Sequence, residues 1–147
     1  MNEEFVPFKI AKKLKEKGFD EECLAYYTSE NTLHLNKVVL CDDKYLEVAE
    51  IDYEECLRSY NTKKDRLLRT IVDAPTISQV LKWLRKEKKI HIMIDIWKVD
   101  FNDTTYKWGY DIVDLTTTHV LGCDTQCADS YEQAGVAGIE YCVDNII

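Results

Sequence analysis

In the stretch "HVLGCDTQC" a histidine and two cysteines recur at every fourth position, as His119, Cys123 and Cys127. Zinc takes four nitrogen or sulfur ligands in a tetrahedron, usually from C-x2-4-C and H-x3-5-H spacings. These three residues, with Cys142 further along, would make such a set. Thiol chemistry is the other option, because a nucleophilic cysteine needs a nearby base and often a helix start to lower its pKa. Cys127 lies just ahead of a helix signal, and His119 is the nearest histidine in sequence. The plainer reading has Val120 and Leu121 ending a strand and Gly122 turning it. His119 and Val120 then point to opposite faces, and the cysteines act as small hydrophobes. We adopt that reading, with no metal, no cofactor and no assigned catalytic residue. His119, Cys123 and Cys127 stand as the minority zinc set.

Two acidic clusters, Asp42–Asp43 and Asp52 with Glu54 and Glu55, have the residue types for magnesium or for acid–base work. An Asp-Asp pair between strands reads more simply as a turn bonding its own backbone, and the two glutamates fall off the apolar face of their helix. No glycine-rich phosphate loop, H-E-x-x-H or G-x-S-x-G motif is present. Their absence removes the familiar catalytic routes without excluding an enzyme; the leading expectation is non-enzymatic, with a small enzyme as the third reading.

The elements that must carry these residues are legible from periodicity. "PFKIAKKLKEKG" is a helix with Pro7 at its first position, an Ile10/Ala11/Leu14 stripe, a lysine-covered outer face and Gly18 as its stop. Strand-like texture follows in "CLAYYT", "TLHLNKVVLC" and "KYLEVAEI". Leu33 and Leu35 alternate there with His34 and Asn36, as in a half-buried strand. "IDYEECLRSY" is a helix, and "LLRTIVD" reads either way. "TISQVLKWLRKEKK" opens on a capping box, Thr76 and Gln79, and carries Ile77, Val80, Leu81 and Leu84 on one face.

"IHIMIDIWKV" alternates, with Ile90, Ile92, Ile94 and Ile96 on one face and His91, Met93, Asp95 and Trp97 on the other. "TTYKWGYDIVDL" pairs back with Tyr106, Trp108, Tyr110 and Ile112 on its core face and Lys107, Gly109 and Asp111 on the polar one. "TTTHVLG" is a third strand, and "DSYEQAGVAGIEYCVDNII" a closing helix with Ser130 and Gln133 as a second capping box. The fold class is α+β, an antiparallel sheet with helices mainly on one face and a second half running α-β-β-β-α. The 147 residues read as a single compact domain, with 1–72 and 73–147 as its candidate sub-units.

Helix, three strands, helix is also the order of double-stranded-RNA-binding domains. That family opens its final helix with lysines that grip phosphates, whereas "DSYEQAG" carries acids. The order is shared without the basic residues. "FVPFKIAKKLKEKGFDEECLAYY", "APTISQVLKWLRKEKKIHI" and "YEQAGVAGIEYCVDNII" resemble a group of small proteins of gut Bacteroidales and their phages. The likeness spans about half the chain, leaves out residues 30 to 72, and carries no assigned activity. It implies a bacterial or phage cytosolic setting and an accessory role.

Charge narrows the partners. Residues 1–89 hold 17 Lys/Arg against 17 Asp/Glu, and residues 90–147 hold 2 against 10, so the whole net charge of −8 lies in the C-terminal part. Nucleic-acid affinity comes largely from neutralising phosphates, so direct nucleic-acid binding is not expected of that part. The acidic N-terminus, "MNEEFVPFKI", lacks a signal-peptide layout, and no apolar run reaches the ~20 residues of a membrane helix. The expectation is a cytoplasmic protein without a membrane anchor.

If the isoleucines face the helices, His91, Met93 and Trp97 are left on the outer face, and an exposed apolar patch of that kind marks a partner, another domain or a self-association surface, with the other half of the chain as a candidate cover. The leading expectation is a protein-binding or self-associating module using His91, Met93 and Trp97. The alternative is a phage-type counter-defence protein that sequesters a small nucleotide or mimics DNA with its acidic surface.

Overall fold

The computed structural model describes residues 4–29, 32–36, 59, 61, 71–98 and 106–147. The chain divides into two compact units, residues 7–75 and residues 76–147 joined by 1–6. The strand expected at "KYLEVAEI", the helix at "IDYEECLRSY" (apart from Ser59) and the turn at "DFND" lie outside the described residues. The class is α+β, and each unit carries a three-stranded antiparallel sheet. No helix among the described residues is long and apolar enough to cross a membrane.

In the first unit, helix α1 (Phe8–Glu16) buries Ile10, Ala11 and Leu14, the stripe expected from its spacing. Pro7 sits one position earlier than expected, as the N-cap. The helix stops because Gly18 takes φ +87°, a left-handed conformation that costs glycine little. There the Phe19 N–H donates to Leu14 O at 3.0 Å and the Gly18 N–H to Lys15 O at 3.1 Å, satisfying two of the last carbonyls. Both hydrophobic members of this closure, Leu14 and Phe19, are buried.

Strands β1 (Ala25–Ser29), β2 (Thr32–Leu35) and β3 (Val72–Ala74) form a sheet in the order β2-β1-β3. The ambiguous "LLRTIVD" thus ends in strand. Strand β2 departs from the half-buried expectation, since all four residues are exposed, Leu33 and Leu35 included. Its alternation is real, but among the described strands it lies at the sheet edge. Asp73 on β3 is fully buried, accepting from the Asn61 backbone N–H at 2.9 Å, while its own N–H donates to Asn61 Oδ1 at 3.0 Å.

In the second unit, α2 (Ile77–Trp83) opens on the expected capping box. Thr76 Oγ1 accepts from the Gln79 N–H at 3.2 Å, and Gln79 Oε1 accepts from the Thr76 N–H at 3.1 Å. The α-helix is shorter than its apolar stripe suggests. Residues Leu84–Lys88 continue as a π-helical turn that Lys89 ends with φ 57°. Strands β4 (Ile90–Lys98), β5 (Tyr106–Asp114) and β6 (Val120–Ala128) then form a meander in that order.

Helix α3 (Tyr131–Asn145) closes the unit. Ser130 Oγ accepts from the Gln133 N–H at 3.1 Å, but the glutamine side chain accepts from the Asp129 N–H, one residue upstream of the expected box. The buried residues Ala134, Gly135, Gly138, Ile139, Cys142 and Val143 form a single stripe. Gly138 lies so close to the sheet that a Cβ would stand 2.9 Å from Ile92 Cγ2 and 3.2 Å from Tyr110 Cγ, while one on Gly135 would meet Ile77 and Ile94 at 3.1 Å. Both helices therefore pack on one face of the sheet, the face of Ile90, Ile92, Tyr110 and Ile112.

The largest departure is in β6. The threonine run, Thr116–Thr118, begins in a turn (Leu115–Thr117) held by Asp114, whose carboxylate accepts from both the N–H and the hydroxyl of Thr116 at 2.7 and 2.6 Å. The strand begins at Val120 and runs through Gly122 and both cysteines. Gly122 is not a turn residue. It sits mid-strand opposite Ile112, where a Cβ would stand 2.5 Å from a ring carbon of Tyr141 on α3.

Candidate functional site

Because the pleat alternates side chains, a face buried under α2 and α3 leaves its opposite to solvent, and the register places the outer residues. His91 pairs with Val113, Met93 with Asp111, Asp95 with Gly109 and Trp97 with Lys107. On the far side, Asp111 pairs with Cys123 and Val113 with Val120. The outer face is therefore built of rows: His91–Val113–Val120, Met93–Asp111–Cys123, then Asp95–Gly109 and Trp97–Lys107. Same-face neighbours across strands have Cβ atoms about 4.5–5.5 Å apart, so Met93 and Asp111 sit against each other.

Exposure follows the expectation for two of the three predicted residues. Met93 and Trp97 are 47% and 41% exposed, and Val120 is 60% exposed. His91 is half-buried, with Nδ1 shielded from water and without a hydrogen-bond partner among the described residues. Asp95 is exposed and Asp111 half-buried. Lys107 is committed to an ion pair with Asp129. Glycine is required at 109, where a Cβ would stand 2.5 Å from the Thr125 backbone, because β6 bulges there between its pairings with Trp108 and Tyr110. The helix-covered face frays at one end. Trp108 is half-buried, making an edge contact with Tyr131 at 5.7 Å, while Ile96 and Tyr106 are exposed. Of the "Tyr, Trp, Tyr" face, only Tyr110 is truly core.

The spaced histidine and cysteines are not brought together. A strand advances about 3.3 Å per residue, so positions four apart are separated by roughly 13 Å, far beyond the reach of one metal ion. His119 precedes β6, Cys123 lies mid-strand and Cys127 near its end. Among the described residues no group of three or more His, Cys, Asp or Glu could hold a metal. Cys142 is buried on α3, where burial pushes its thiol up to about 12.

Nor is Cys127 set up as a nucleophile. Desolvation and then the Asp124 carboxylate raise its pKa, the opposite of activation. The residue is exposed, and its sulfur lies 3.8 Å from the Trp108 carbonyl. In the first unit the Cys23 thiol is also pushed up, by burial first and then by Asp73 and Glu21. The acidic clusters at Asp42–Asp43 and at Asp52, Glu54 and Glu55 lie outside the described residues.

The outer face combines apolar side chains (Met93, Trp97, Val113, Val120) with carboxylates (Asp95, Asp111). Asp111 and Cys123 were missed as members of the site. Period-2 alternation already set Asp111 on the polar face, but its place beside Met93 depends on register. No protein-family model, no curated protein and no solved structure matches the chain.

Proposed function

We propose that this chain is a small accessory protein, without catalytic chemistry of its own, that works by offering the outer face of its C-terminal sheet to a protein partner in a bacterial or phage cytosol. One observation carries the reading. Met93 and Trp97, large apolar side chains, stand 47% and 41% exposed on the face of β4 opposite the one where Ile92 and Ile94 meet α3. The largest exposed apolar patch of a protein is often a functional surface. The raised thiol pKa values and the dispersed His119, Cys123 and Cys127 add support by removing the chemical alternatives among these residues.

The second reading, DNA mimicry or nucleotide sequestration, draws on the ten acids against two bases in residues 90–147. Mimicry needs carboxylates spaced like phosphates, whereas Asp95 and Asp111 are interleaved with Met93, Trp97 and Val113. Sequestering an anion needs cations, and Lys107 is already paired with Asp129.

The test is a photo-crosslinking amino acid placed at position 97 and, in a second variant, at exposed position 144 on α3. Irradiated in the producing cells, the first should give discrete protein adducts and the second none. No adduct from 97, or equal adducts from both, would overturn the reading.

A further inference from the structure

The partner's chemistry follows from the size and charge of this face, an inference that rests on the docking role proposed above. His91 to Trp97 spans seven residues, six steps covering about 20 Å of strand, and three strands span about 10 Å between their axes. With side chains included, the patch is on the order of 300 Å². A stable interface between folded proteins removes about 800 Å² per partner, so the face is too small to hold a second copy of the chain by itself. It matches one helix about 10–12 Å across, or one extended segment.

Charge makes the same choice more sharply. A second copy would set a net charge of −8 against −8. The face itself carries Asp95 and Asp111 beside Met93 and Trp97, and its single lysine, Lys107, is neutralised by Asp129. An acidic partner would meet uncompensated carboxylates, and a purely apolar one would desolvate them without repayment. We infer that the outer face of β4–β6 takes a short amphipathic segment of another protein, with apolar residues over Met93 and Trp97 and Lys or Arg side chains on Asp95 and Asp111.

The test uses two fluorescently labelled synthetic peptides of equal length, one of Leu and Lys and one of Leu and Glu. Each is titrated into the full chain and into two surface variants, Met93→Ser/Trp97→Ser and Asp95→Asn/Asp111→Asn. The changed side chains are exposed or half-buried, and circular dichroism checks that both variants fold. The Leu/Lys peptide should bind, weaken more than tenfold in the Ser variant and three- to tenfold in the Asn variant, and weaken as salt rises from 0.05 to 0.5 M. The Leu/Glu peptide should not bind. If both peptides bind alike, or the Asn variant binds the Leu/Lys peptide as well as the parent, the basic-partner inference is wrong. If adducts at position 97 persist in that case, the docking role stands without it. If the Ser variant binds the Leu/Lys peptide unchanged and position 97 gives no adduct, both fall.

Discussion

Replacing Gly138 by alanine should cost stability even though alanine is the better helix former. In a helix interior the exchange gains about 1 kcal/mol of propensity. At this position the new methyl would stand 2.9 Å from Ile92 Cγ2 and 3.2 Å from Tyr110 Cγ. Both neighbours are buried, at 4% and 7% exposure, and belong to paired strands. The isoleucine is stiff at χ1, so neither can swing aside. Overpacking of this kind costs about 1–3 kcal/mol, which leaves a net loss of roughly 1 kcal/mol. Gly135→Ala in the same helix is the control. Its methyl would meet Ile77 Cγ2 and Ile94 Cδ1 at 3.1 Å, and Ile94 offers the free end of a half-buried chain. The contacts are longer than at Gly138 but Ile77 is buried and as stiff as Ile92, so gain and crowding should offset and leave the variant within about 0.5 kcal/mol of the parent. Urea unfolding followed by tryptophan fluorescence separates the two, because Trp83, Trp97 and Trp108 all lie in the second unit. With a urea slope of about 1–3 kcal/mol per molar, the midpoints should differ by about half a molar or more. A Gly138→Ala protein as stable as Gly135→Ala would refute the placement of α3 over Ile92 and Tyr110, and with it the assignment of covered and outer faces.

Thr76→Ala removes the capping box of α2 and should cost about 1 kcal/mol, read from the same urea transition. Gly109→Ala drives a Cβ into the backbone of Asp124 and Thr125 at the β6 bulge, where no side chain can yield. A loss of about 3 kcal/mol or more, or failure to fold, is expected, against a near-neutral outcome if the bulge is not formed. Alkaline pH should destabilise the second unit. Burial raises Cys142 from 9.0 to about 12 and Tyr110 from 10.0 to about 12, and raises Cys127 in the same direction. Between those values the folded state keeps protons that the unfolded chain has lost, so this stability is intact below about pH 9 and declines as pH rises toward 12. Cys142→Ala should make the stability–pH slope between pH 9 and 10 shallower, and an unchanged slope would contradict the burial of that thiol.

Much of the second unit was legible because its signals are local. Thr76 and Gln79 announce a helix start, and Ile90, Ile92, Ile94 and Ile96 announce a strand with one apolar face. Met93 and Trp97 on the opposite face follow from period two alone. What failed depended on contacts distant in sequence. Three β-branched threonines suggest a strand, but Asp114 accepts two hydrogen bonds from Thr116 and makes a turn there instead. Gly122 suggests a turn, but the missing side chain makes room for the Tyr141 ring. The every-fourth spacing of His119, Cys123 and Cys127 would cluster them on a helix, whereas on a strand it spreads them. Exposure at Leu33, Leu35 and Ile96 comes from a place at a sheet edge or strand end, which alternation cannot reveal. Asp111 joins the site only through the β4–β5 register.

The most direct test of the central claim is the photo-crosslink at position 97 set against the one at position 144. Discrete protein adducts from 97 alone are the expected result. Equal yields from both positions, or none from 97, would contradict the claim that the outer face of β4–β6 is the working surface of this protein.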